Sequence, residues 1–108
     1  EPLIKPIVHI KKMYELNRDM LQLSIESYNE EDLDKAKKVS EMDEEVDSLY
    51  GETIKELLQI NIEKPEFVSQ ITQLSFICRY LERAADHMTN IAEHVFYMVK
   101  GKRYDLNT

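Results

Sequence analysis

Along most of the chain, apolar residues return every three or four positions with charged residues between them. From Leu3 to Tyr28 the repeat runs through Leu3, Ile7, Ile10, Tyr14, Leu21, Ile25 and Tyr28, and Met13, Leu16, Met20 and Leu23 widen it. That period predicts a first amphipathic helix with this stripe turned inward. Asn29 then opens a stretch holding Glu30, Glu31, Asp32 and Asp34, acids that suit the positive end of a helix dipole. A second helix follows, to about Ile62, with its inward seam at Ala36, Val39, Asp43, Val46, Tyr50, Thr53 and Leu57. The run Glu63-Lys64-Pro65-Glu66 interrupts the period, because Pro65 fits a first helical turn and pushes the residue before it out of helical geometry.

A third helix is predicted from there to Lys100, with Gly101 as its terminal cap. Its seam is Phe67, Ile71, Leu74, Cys78, Leu81, Ala85, Met88, Ala92, Val95 and Val99. Helices of roughly 25 to 35 residues are about 40 to 50 Å long, and short joints between them force an antiparallel up-down-up arrangement. The expected architecture is all-α, a three-helix bundle over residues 1–102, with a frayed C-terminal tail at residues 103–108.

Composition narrows the class. The chain has 108 residues, of which 43% are hydrophobic and 32% charged, with only two glycines and three prolines. So few turn formers do not suit a sandwich or barrel. Fourteen basic against twenty-one acidic residues give a net charge of -7. That balance disfavours a nucleic-acid groove or an anionic-lipid clamp and favours cations or a basic partner. The lone cysteine, Cys78, cannot form an internal disulfide, and no apolar run approaches the roughly 20 residues of a membrane span. The expectation is a soluble cytoplasmic protein, and the start at Glu1 suggests a piece of something longer.

The chemistry concentrates in the second helix. Glu41, Asp43, Glu44, Glu45 and Asp47 fall together, and no Lys or Arg occurs from Val39 through Ile54. Acid pairs four residues apart are common along this chain and do not discriminate, but position does. Asp43 occupies the seam, where an unpaired carboxylate is costly, so it should be protonated, hydrogen-bonded, salt-bridged or bound to a cation. Asp47 lies one turn further on.

On the third helix Glu82 and Asp86 form a polar flank beside the seam, continued by Asn90 and Glu93. Arg79 and Arg83 are spaced to pair with those acids, which would make a solvated face. Small residues at Ser75, Cys78, Ala85, Thr89 and Ala92 would instead let a facing helix come close enough for two sets of carboxylates to share ions. Such an oxygen-rich set suits Mg, Mn, Ca or oxidised iron. His87 and His94 lie on the opposite flank, and no His follows a Glu by three residues as a di-iron oxidase bundle requires. Cys78 has no histidine placed to activate it, and no phosphate loop or nucleophile elbow occurs, so an enzyme is not expected. Phe76 and Tyr80 leave the seam and make the first half of the third helix apolar over too much of its circumference for a lone bundle. A second layer is implied.

The stretch from Arg79 to Glu93, RYLERAADHMTNIAE, resembles the signature of the PhoU family, and Met42 to Tyr50, MDEEVDSLY, resembles its companion on the preceding helix. The similarity runs from about Leu16 to Gly101 and is closest to the second of the two three-helix repeats that PhoU proteins hold in tandem. The resemblance implies a multinuclear cluster of iron, manganese or magnesium, with Asp43 and Asp47 matching one acidic motif, Glu82 and Asp86 the other, and Asn90 supporting. It further implies a negative regulator of phosphate uptake and phosphate-starvation signalling that docks to the phosphate ABC transporter ATPase and a sensor histidine kinase. With a single repeat present, a second repeat or a homodimer is implied as well. The competing reading is a helical interaction module whose acidic groove meets a basic partner without any structural metal.

Overall fold

The structure is a computed structural model that describes the backbone of residues 2–106 and the side chains of residues 2–101. Three helices follow one another, α1 (Ile4–Glu30), α2 (Leu33–Glu63) and α3 (Val68–Leu106), with a single 3₁₀ turn at Pro65–Phe67 and no strand among the described residues. Joints this short return the chain on itself twice, so α1 and α3 run parallel with α2 antiparallel between them. The result is a rod 64 Å long and 18 × 16 Å across.

Both joints fall where the punctuation predicts. At the first, Glu31 adopts the left-handed conformation (φ 54°, ψ 41°), and the N–H groups of Glu31 and Asp32 both donate to Ser27 O. Both bonds converge on the one carbonyl of Ser27 in the last turn of α1. Asp32 then caps α2, its Oδ1 accepting from the N–H of Asp34 at 2.9 Å and of Lys35 at 3.1 Å. The Lys35 ammonium reaches back to Glu26 Oε1 at 2.7 Å and Glu30 Oε1 at 3.1 Å, tying the start of α2 to the end of α1. At the second joint Pro65 opens the 3₁₀ turn, so α3 proper begins at Val68.

The main core is built from Met13 and Met20 of α1, Val39 and Val46 of α2, and Cys78, Ala85, Ala92 and Val95 of α3, all fully buried. Leu3, Leu57 and Ile71 close a smaller cluster at the end bearing the 3₁₀ turn. The small residues Cys78, Ala85 and Ala92 allow close approach at the centre, as their spacing implies.

Two expectations need correction. The buried seam of α1 runs through Leu3, Pro6, Met13, Asn17, Met20, Ser24 and Ser27. Ile7, Tyr14, Leu21, Ile25 and Tyr28 are about half exposed. The seam holds polar residues because the Ser24 and Ser27 hydroxyls and the Asn17 Nδ2 donate to backbone carbonyls, while Asn17 Oδ1 stays buried without a partner, and these small or compact side chains let α1 approach its neighbours. Ser27 Oγ donates to Ser24 O, Asn17 Nδ2 to Met13 O, and Ser24 Oγ across to Met88 O. Nor does α3 stop at Gly101. It continues to Leu106, and Gly101 does not take up the positive φ that a glycine cap uses. Of the expected tail, Asn107 and Thr108 lie outside the described residues.

Candidate metal centre

Asp43 and Asp47 stand one turn apart on α2, and Glu82 and Asp86 stand one turn apart on α3. The antiparallel crossing of the two helices lays one pair against the other along an open groove. One oxygen each from Asp43, Asp47 and Asp86 lies within 4.8 Å of the others. Among the described residues no other three Asp, Glu, His or Cys side chains converge in this way.

Asp43 is half-buried, as its seam position requires, and its Oδ1 is buried with no protein partner. The Thr89 hydroxyl lies beside it but donates to Ala85 O at 3.0 Å. Burial, with the charges of Asp47 and Asp86 behind it, pushes the Asp43 carboxyl above the ordinary range, and Thr89 offsets only part of this. Asp47 is raised by burial and then by Asp86 and Glu44. Glu82 stands outside the tight trio but is raised in the same direction, by burial and then by Asp86, Asp47 and Asp43. No Lys or Arg among the described residues lies within ion-pair distance of any of the four, so Arg79 and Arg83 do not make the compensating pairs their spacing allows.

Four carboxylates thus repel one another in a partly desolvated groove, with one buried oxygen aimed at no donor. These residues fit a bound cation: the donor set is entirely oxygen, which suits hard ions with several ligands, and the exposed Asp47 and Asp86 leave solvent access on the outer side. Of the acids, Asp43 is legible from its seam position, whereas Asp47, Glu82 and Asp86 are marked by the family resemblance and not by spacing. Thr89 and Glu44, which tune them, carry no signal beyond adjacency on the helix.

Asn90 stands one turn beyond Asp86 on α3. It is exposed and lines a different groove, of about 460 Å³, with Ser24, Ile25, Tyr28, Asn29, Ile91 and His94 between α1 and α3. His87 is exposed and outside the trio. Cys78 is fully buried, its thiol donating to Met13 Sδ at 3.8 Å, and burial pushes it up to about 11. It has the character of a core residue and not of a nucleophile.

Residues 10–95 match the family model of the PhoU domain. The chain belongs to the PhoU family. The PhoU homolog of Clostridium acetobutylicum, named a phosphate-specific transport system accessory protein, is 44% identical over 90 residues, which is 83% of this chain and 41% of that protein. The homolog of Deinococcus radiodurans is 36% identical over 102 residues, covering 94% of this chain and 48% of the relative. PhoU homolog 2 of Thermotoga maritima is 35% identical over 104 residues, covering 96% and 44%. The chain therefore spans less than half the length of these PhoU relatives. The match contains both carboxylate pairs, the whole of α2 and most of α3.

Proposed function

We propose that this chain is a metal-binding regulatory module of a phosphate transport system, acting in the cytoplasm by docking and not by turnover. The observation that carries the metal half is the convergence of Asp43, Asp47 and Asp86 within 4.8 Å around a buried, unpartnered carboxylate oxygen. Glu82 completes the set from the side. Iron, manganese or magnesium supplies the positive charge that the chain itself does not place there, and such an ion binds the four carboxylates in their ionised form. Asn90, one turn beyond Asp86, is proposed only as a supporting ligand.

The regulatory half is supported by family membership and by the relatives' names as accessory proteins of phosphate-specific transport. The transporter ATPase and a sensor histidine kinase are the proposed partners, and restraint of phosphate uptake is the proposed effect.

The outward stripe of α1 belongs to the same proposal. Tyr14, Leu21 and Tyr28 recur every seven residues and so share one face, and Ile77 and Ile91 do the same on α3. Contacts from Met13 to Cys78 and from Ser24 to Met88 set these parallel helices side by side. In this arrangement a second repeat or a second copy of the chain covers that face, because the stripe runs the length of α1 and the relatives are about twice as long as this chain.

Equilibrium titration with Mn²⁺ and Fe²⁺, beside melting with and without chelator, tests the metal half. Saturable uptake with a raised Tm is expected. Deleting the gene should derepress alkaline phosphatase in high phosphate, and the full-length gene should restore repression. Unchanged phosphatase and phosphate uptake on deletion would defeat the regulator reading.

A further inference from the structure

The carboxylate groove does not end at the carboxylates. Toward the 3₁₀ turn the same α2–α3 cleft continues as a hollow of about 370 Å³ lined by Tyr50, Ile54 and Leu58 of α2 and by Val68, Thr72 and Phe76 of α3. Leu58, Val68 and Phe76 are 58%, 52% and 54% exposed, so this half offers apolar surface to solvent. Arg79 marks the boundary between the halves. One cleft is therefore apolar at one end and strongly acidic at the other.

From this polarity we infer that the α2–α3 cleft docks a helical segment of a partner protein, with apolar side chains over Leu58 and Phe76 and Lys or Arg side chains over Asp43, Asp47, Glu82 and Asp86. It rests on the docking half of the proposed function and concerns the chain without metal at the four carboxylates. Three features select this occupant. The cleft between two straight helices is itself straight, and from Asp43 to Leu58 it measures about 22 Å at 1.5 Å per residue, the length of a helix of about 15 residues. Its apolar half can take residues at i, i+3 or i+4, and i+7, the spacing that an amphipathic helix presents. The acids lack any cationic partner among the described residues, and basic side chains at one end of the guest supply the complementary charge. A bound metal ion claims the same four carboxylates, so metal and basic helix exclude each other.

The test uses the full chain and two labelled peptides of about 16 residues, both with leucines at helical spacing in one half. One peptide carries two lysines in its other half, and its twin carries two glutamates there. Fluorescence anisotropy without divalent metal should show the lysine peptide binding at least about tenfold tighter than the glutamate peptide. That preference should collapse between about 0.01 M and about 1 M salt, as screening shortens from about 30 Å to about 3 Å. Leu58→Gln with Phe76→Gln should weaken both peptides about tenfold or more, while Tyr97→Gln, an exposed aromatic outside the cleft, should weaken neither. Asp43→Asn with Asp86→Asn should remove the preference for lysine. All of these positions are half-buried or exposed, and a circular dichroism melt confirms that each variant is folded. Equal affinity for the two peptides, or indifference to the Leu58 and Phe76 pair, would overturn the inference. Mn²⁺ titration and the phosphatase phenotype are measured separately, so a failure here leaves the proposed function standing or falling on those two results alone.

Discussion

At Asp43 a single side chain carries a cost that a bound cation would offset. Its half-buried carboxyl faces Asp47 and Asp86 with one oxygen unpartnered, so in metal-free protein the charge opposes folding. Asp43→Asn should stabilise the metal-free chain by about 1 kcal/mol, a rise of about 4–8 °C in Tm for a domain of this size. The same substitution should abolish most of the Tm gain produced by Mn²⁺, whereas Glu26→Gln should leave that gain intact. A second residue-scale prediction concerns pH. The Lys35 hydrogen bond holds the Glu26 carboxyl below its usual range, and Glu26 and Glu30 hold the Lys35 ammonium above its own. A lowered carboxyl stabilises the fold above its unfolded pKa and loses that effect as pH falls through the lowered folded value. The raised ammonium stabilises below its unfolded pKa and loses the effect as pH rises through the raised one. Lys35→Met should therefore lower the urea midpoint near neutral pH and flatten its decline in acid. Asp43 was legible because it puts a carboxylate into a mostly apolar seam. The missing cationic partners were not, since spacing allows Arg79 and Arg83 to pair while rotamers and solvation decide whether they do.

Among the elements, α2 and α3 follow the hydrophobic period and α1 does not. In α3 the seam from Ile71 through Cys78, Ala85 and Ala92 to Val99 is apolar and mostly small, and no rival stripe is stronger, so period and burial agree. In α1 the rival stripe is stronger. Ile7, Tyr14, Leu21, Ile25 and Tyr28 are more apolar than a true seam containing Asn17, Ser24 and Ser27, and hydrophobicity alone does not say which of two stripes packs inward. Phase on a helix with two apolar faces therefore cannot be assigned from one period. Gly101 shows a related limit, since a glycine permits a cap without requiring one. Gly51 lies inside α2, exposed, with nothing within 4 Å of where a Cβ would sit. Gly51→Ala should accordingly stabilise the chain by about 0.5–1 kcal/mol in chemical denaturation. Leu57, 1% exposed in the cluster that closes the end of the bundle, should cost about 2–5 kcal/mol when truncated to Ala. If Leu57→Ala proves nearly neutral, the cluster of Leu3, Leu57 and Ile71 contributes little, and that end frays.

For the whole molecule the telling feature is proportion. A compact chain of this length has a radius of gyration of about 13 Å, and this one has 17.6 Å. Its length of 64 Å against widths of 18 and 16 Å makes the mode of self-association visible to small-angle scattering. Two rods joined flank to flank, displaced by one width, reach a radius of gyration of only about 20 Å, and the longest chord barely changes. Two rods joined tip to tip reach about 36 Å and double the chord. Pairing through Tyr14, Leu21 and Tyr28 must therefore appear as a thickened cross-section at constant length, with forward scattering doubled. A lengthened particle would place the contact at the tips. A concentration series that keeps both the forward scattering and the cross-section of one copy would leave the flank bare. For a slender bundle, growth in girth is the signature of a face being covered, and mass alone does not report it.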